Sequence, residues 1–208
     1  MPTRRRVPAA AFIAAVATAV VALASPAAAA NPIGSVPIDY QVSATTTLAS
    51  LGQTVTTTGG RFVGAVTLFD DGTATIGGDM TLPAATQTLR IAGIPLATAT
   101  FAIAPVGPVT GTVNLATMTA TTTASFNIRI TSVRPTILPF LNLVGNRCTT
   151  AQPITVTMSG PISLTDASSF SGSFTMPRLK DCGLVTPILN LVVPGPGNTF
   201  SAAFAPST

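Results

Sequence analysis

The sequence predicts an all-β chain: an antiparallel β-sandwich or barrel of about ten strands, with two short helical segments near a disulfide. Three observations carry this expectation. Apolar residues recur with a period of two, the spacing of one face of a strand. Turn-forming residues interrupt the chain at short intervals, as antiparallel hairpins require. Strand-like runs do not alternate with helix-like runs, the pattern that a parallel sheet would need.

Taken in order, Phe62, Val66 and Leu68 share one face of an early strand, and Phe101 and Ile103 share a face of a later one. Phe126, Ile128 and Ile130 alternate with Asn127, Arg129 and Thr131, and Ile154, Val156 and Met158 alternate with Thr155 and Thr157. Phe200, Ala202 and Phe204 place a last strand near the C-terminus. Turns are expected at Gly59-Gly60, Gly77-Gly78, Gly93, Pro105 to Pro108, Gly160-Pro161 and Pro194 to Gly197. Asp70-Asp71-Gly72-Thr73 reads as a hairpin turn in which glycine supplies the positive φ.

Residues 134–148 and 178–198 break the period. Each contains one version of the same string, Pro139-Phe140-Leu141-Asn142-Leu143-Val144 and Pro187-Ile188-Leu189-Asn190-Leu191-Val192, identical at five of six positions. Proline is tolerated in a first helical turn, Thr186 is placed to cap, and Gly145 and Pro194 can stop the segments, so each is expected to form one or two helical turns.

Residues 1–30 read as a cleavable export signal, leaving 31–208 as a single secreted β domain. Arg4, Arg5 and Arg6 form a positive start, Ala11 to Ala24 an uncharged run that is apolar except at Thr18, and Ala28-Ala29-Ala30 a small-x-small cleavage site. The run of 14 residues is short of the roughly 20 that a membrane span needs, so no transmembrane anchor is expected. The consecutive arginines hint at twin-arginine export, although Val7 and Pro8 follow in place of a bulky apolar pair. Three of the ten basic residues leave with the signal, and the seven that remain face six aspartates, a formal charge of +1. Those seven are scattered singly along the chain, whereas nucleic acid or an anionic membrane would call for a basic face.

Cys148 and Cys182 are the only cysteines, an even count in a chain expected to be exported, which favours a disulfide. A closed zinc site would need more ligands than two cysteines and no histidine can provide, and no Cys-x-x-Cys is present. The stretches Asn146-Arg147-Cys148-Thr149-Thr150, Met176-Pro177-Arg178-Leu179-Lys180-Asp181-Cys182-Gly183 and Gly195-Pro196-Gly197-Asn198-Thr199 resemble the C-terminal half of a group of secreted two-cysteine β-proteins of high-GC Gram-positive bacteria. The resemblance implies an exported β fold with Cys148 paired to Cys182, and it implies no catalytic or ligand-binding residue.

Composition argues against catalysis. Without histidine there is no Ser-His-Asp or Cys-His relay, and a Ser-Lys pair would have to use Lys180, the only lysine. No glutamate is present, so a two-carboxylate mechanism would rest on Asp39, Asp70, Asp71, Asp79, Asp166 and Asp181, each of which reads more simply as a solvated turn or strand-end residue. Asp70, Asp71 and Asp79 have the oxygens for calcium but not the spacing of an EF-hand loop. No cofactor or metal is expected. The threonine runs 45–47, 56–58 and 121–123 follow from β-propensity, and with Tyr40 and phenylalanine the only aromatics, flat sugar-stacking platforms are scarce.

The remaining candidate is apolar. Phe140, Leu141, Leu143, Ile188, Leu189 and Leu191 carry more aliphatic surface than two short connections need. Buried, they would plug the open end of the sheet; exposed, they would mark an envelope component or lipid as the partner. The expectation is a non-catalytic secreted protein of the envelope or extracellular space with a structural or interaction role. The alternative is a carrier of an apolar ligand such as a lipid, for which an enclosed apolar cavity above about 300 Å³ would speak. An enzyme of unknown class ranks third.

Overall fold

The computed structural model describes residues 30–207 apart from 92 and 164, so the predicted export segment lies, but for Ala30, outside the described residues. Twelve strands form one antiparallel sheet. They are β1 (Pro32–Leu48), β2 (Gln53–Phe69), β3 (Ala74–Thr81), β4 (Ala85–Ile91), β5 (Ile94–Pro105), β6 (Val109–Asn114), β7 (Thr119–Pro135), β8 (Thr149–Thr150), β9 (Ile154–Pro161), β10 (Ser168–Met176), β11 (Leu179–Lys180) and β12 (Gly195–Pro206).

Eight of these strands close on themselves. The hydrogen-bonded order β7-β6-β3-β2-β1-β12-β10-β9 returns to β7, because β9 pairs with β7 from Thr119↔Pro161 to Phe126↔Ile154. The expected sandwich or barrel is therefore a barrel, and at eight strands its interior is just wide enough for side chains to fill. Period-two alternation does the filling. Ile38, Tyr40, Val42 and Ala44 of β1, Ile154, Val156 and Met158 of β9, and Phe170, Phe174 and Met176 of β10 point inward, and their neighbours point out. Phe204 stands edge-on to Phe62 and Phe170 at centroid distances of 5.9 and 5.4 Å, within the range such pairs favour. A void in the barrel lined by Tyr40, Phe62, Met158 and Phe170 among others measures about 30 Å³, room for about one water.

The closing seam is polar on its outer face. Thr121, Thr123 and Ser125 of β7 hydrogen-bond to Ser159, Thr157 and Thr155 of β9 at 3.1, 3.3 and 3.1 Å. Part of the threonine content is thus cross-strand pairing, the unit of sheet stabilisation. The curvature depends on glycine where two strands press together: a Cβ on Gly64 would meet the Gly77 carbonyl and the Gly78 Cα, and one on Gly78 would meet the Val63 carbonyl.

Past the ring, β7 runs on to Pro135 and pairs there with β5, which pairs with β4. On its other edge β7 meets β8, which pairs with β11. The disulfide between Cys148 and Cys182 is formed, with both residues fully buried, and it ties the segment after β7 to the one after β11.

Of the two predicted helical segments, only the second is helical. A single 3₁₀ turn at Gly183–Val185 leads into α1 (Thr186–Val192), with Pro187 in its first turn and Pro194 just beyond its end. Thr186 is its first residue and not its cap: its hydroxyl accepts from the Cys182 N–H at 3.1 Å and donates to the Gly183 carbonyl at 2.8 Å. Residues 136–148 form an irregular connection instead. There Asn142 binds the edge of β7 as a strand would, accepting from Val133 N–H at 3.0 Å and donating to Thr131 O at 3.3 Å, while Leu143 N–H donates to Val133 O. Those bonds tie the segment to the strand edge, and only isolated turns form before it, closed by Leu138 N–H to Pro135 O and Leu141 N–H to Leu138 O. Asn190, at the matching position of α1, grips Leu179 N–H and O at 2.7 and 2.8 Å. The shared string therefore repeats a side-chain clamp rather than a secondary structure.

Candidate functional site

The two ends of the molecule differ in chemistry. At the end where β2 meets β3, Asp70 accepts from the backbone and side-chain amides of Asn31 at 2.9 and 3.0 Å. Asp71 accepts from the N–H and hydroxyl of Thr73 at 2.9 and 2.7 Å, with Gly72 at φ +80°. This is the predicted hairpin turn, and it engages both carboxylates. Asn31 holds the Asp70 carboxyl below the usual carboxylate range, and Thr73 does the same for Asp71. Further along the barrel Arg61 pairs with Asp39 and likewise lowers its carboxyl.

The opposite end is apolar. Four connections meet there. The β1–β2 turn reaches the C-terminal end of α1 through the Ser50 hydroxyl, which donates to Val193 O at 2.9 Å, and Gln53, the first residue of β2, reaches β4 through its Nε2, which donates to Arg90 O at 3.0 Å. The start of β5, just past the β4–β5 turn, joins the 136–148 connection through Thr136 N–H and Leu96 O at 2.9 Å, and the disulfide joins that connection to the segment leading into α1. Each predicted contact residue lies here, on both sides of the alternative posed by the sequence. Leu189 is buried at 7% exposure against Ala97, Ala99, Val133 and Val144, and Leu143 is half-buried. Phe140 is 79% exposed, Leu191 85%, and Ile188 and Leu141 are exposed as well. Ile137, Leu138 and Leu184 face solvent beside them.

Beneath this surface lies a cavity of about 210 Å³ with an almost entirely apolar wall. β1 and β2 supply Leu48, Leu51 and Val55; β4 and β5 supply Leu89, Leu96 and Ala99; β7 supplies Ile128, Ile130 and Val133; and α1 closes it with Ile188, Leu189 and Val192. The cavity exceeds the roughly 150 Å³ known to hold benzene in an engineered core. It falls below the roughly 300 Å³ of a site that encloses a whole drug-sized ligand.

Sequence reasoning missed the contributions of the β1–β2 turn and of the start of β5. Ile94-Pro95-Leu96 was the available signal, because an apolar tripeptide directly after the turn at Gly93, with Ile94 and Leu96 both exposed, is surplus apolar surface. It also missed the charge distribution. Arg90, Arg129, Arg134, Arg147, Arg178 and Lys180, scattered in the sequence, all stand exposed on the half that carries the disulfide, where Asp181 is the acidic residue. Arg61 and the other five aspartates occupy the other half. Among the described residues no three Asp or Cys side chains converge to hold a metal ion, and no helix is long and apolar enough to cross a membrane. Comparison with protein-family models, curated proteins and solved structures gives no match.

Proposed function

We propose that this chain is an exported, non-catalytic protein of the cell envelope or extracellular space with an interaction role, and that its disulfide end seats on a lipid surface carrying anionic headgroups. The observation that carries the reading is the exposure of Phe140, Ile188 and Leu191 on a half that is otherwise basic. Sinking such a side chain fully into hydrocarbon favours binding by about 1.5–3 kcal/mol. Each Arg or Lys held near an anionic surface adds about 1 kcal/mol. The buried disulfide supports the export reading, since such bonds persist in oxidising compartments.

The test is vesicle co-flotation with phosphatidylglycerol and with phosphatidylcholine vesicles. Wild-type protein is expected to float with the anionic vesicles and to be released by salt. Replacing Phe140 and Leu191 together by Ser should weaken binding at least tenfold with the fold intact. Equal flotation of variant and wild type, or tighter binding to a DNA duplex than to either vesicle, overturns the reading. A second reading is a narrower carrier: at about 210 Å³ the cavity falls short of the roughly 300 Å³ that would enclose a whole ligand and has room for the end of an apolar molecule.

A further inference from the structure

The cavity wall is mostly apolar, and its polar lining residues are Thr46, Gln53, Gln87 and Arg90. Gln53 lines it, and the Gln53 Nε2 group donates to the Arg90 carbonyl at 3.0 Å, which fixes the orientation of the amide. Its other atom, Oε1, is shielded from solvent and accepts no hydrogen bond among the described residues. A shielded acceptor without a donor is costly, and none of the other polar residues of the wall, Thr46, Gln87 and Arg90, hydrogen-bonds to it.

We infer that the cavity binds the end of an aliphatic molecule bearing a hydroxyl, with the hydroxyl donating to Gln53 Oε1 and the hydrocarbon filling the space against Val55, Leu89 and Ile130. The inference rests on the carrier reading and adds the ligand class to it. A volume of about 210 Å³ admits a short aliphatic run. The rest of a longer chain leaves past Ile188, which lines the cavity and is itself exposed. This places the remainder of the ligand against the same apolar rim that carries Leu191 and Phe140.

The probes are 1-hexanol and 1-fluorohexane, two molecules of nearly equal size of which only the first can donate. Methyl-resolved NMR titration of the full protein reads both affinity and location. Wild-type protein is expected to bind 1-hexanol roughly tenfold more tightly than 1-fluorohexane, with ligand contacts to the Val55, Leu89 and Ile130 methyls, and Gln53→Met should remove the preference. Equal affinities in the wild type overturn the hydroxyl assignment and leave the carrier reading standing. If neither probe reaches those methyls, both fall. The comparison of the two probes in wild-type protein decides the matter even if Gln53→Met does not fold.

Discussion

The barrel and the disulfide end are built from the same aliphatic and aromatic side chains, yet one is filled and the other is open. In the barrel every strand has a hydrogen-bonded neighbour on both sides, so inward side chains from all directions meet, and the void beside Tyr40 and Phe62 is only about 30 Å³. At the disulfide end β1, β2, β5 and β7 run past the ring, and the space among them is roofed by α1 and irregular connections, leaving about 210 Å³. Burial of an apolar side chain is decided by closure of the surrounding elements and not by its own hydrophobicity. What is left over at the open end, Phe140, Ile188 and Leu191, is surface available to a partner.

Two phenylalanines break the comparison most sharply. Phe200 is 1% exposed at the centre of the barrel, stacked at a tilt 6.2 Å from Phe126, so Phe200→Ala should cost about 3–5 kcal/mol of stability through lost burial and an unfilled cavity. Phe140→Ala removes a side chain of the same kind from solvent and should change stability by less than about 0.5 kcal/mol. Urea denaturation measures both. Comparable losses would mean that the apolar end is packed in solution and that its exposure is not a free surface.

Removing the disulfide comes next. Cys148→Ser with Cys182→Ser opens a loop of 34 residues and should cost about 2–5 kcal/mol. The comparison predicts where that loss appears. Amide hydrogen exchange should accelerate in residues 136–148 and 181–193, while β1 and β12, held to each other from Tyr40↔Pro206 to Thr47↔Thr199, keep slow exchange. Uniform acceleration would show that the two regions fold as one unit.

The barrel was legible because its rule is local: alternation at Ile154, Val156 and Met158 is written in the residues themselves, as is the turn at Gly72. The disulfide end was legible only in part. Phe140 and Leu191 were visible as surplus apolar residues, but the difference between exposed Leu191 and buried Leu189 depends on which face of α1 meets Val133 and Val144. The failed helix at 139–144 has the same origin, since its near-duplicate at 187–192 does coil, and the deciding partner of Asn142 is a strand edge about ten residues upstream. The basic half was hidden because it is assembled from β4, β7, β11 and two connections, which no sequence window holds together.

The smallest predicted effect concerns pH, and it too separates the regions. The chain has no histidine and no glutamate, and both cysteines are bonded, so no side chain of ordinary pKa titrates between about pH 5 and 9. Stability should be flat there. On the acid side, Asp39, Asp70 and Asp71 have folded-state pKa values below their unfolded ones, so their contribution is present above the ordinary carboxylate range and is lost as pH falls through the folded values. All three are solvent-facing, and the acid loss should be slight and reduced by salt. On the alkaline side Tyr40, largely buried with its hydroxyl donating to Ser163 O at 2.8 Å, has its pKa pushed up by burial. The unfolded chain therefore releases this proton first, and stability falls as pH rises above about 10. Tyr40→Phe should flatten the alkaline limb and leave the acid limb unchanged, read as melting temperature against pH. All four groups belong to the barrel, and vesicle binding by the disulfide end should stay constant between about pH 5 and 9. Binding that changes within that window would place a titrating group at the apolar end and break the division between the two regions.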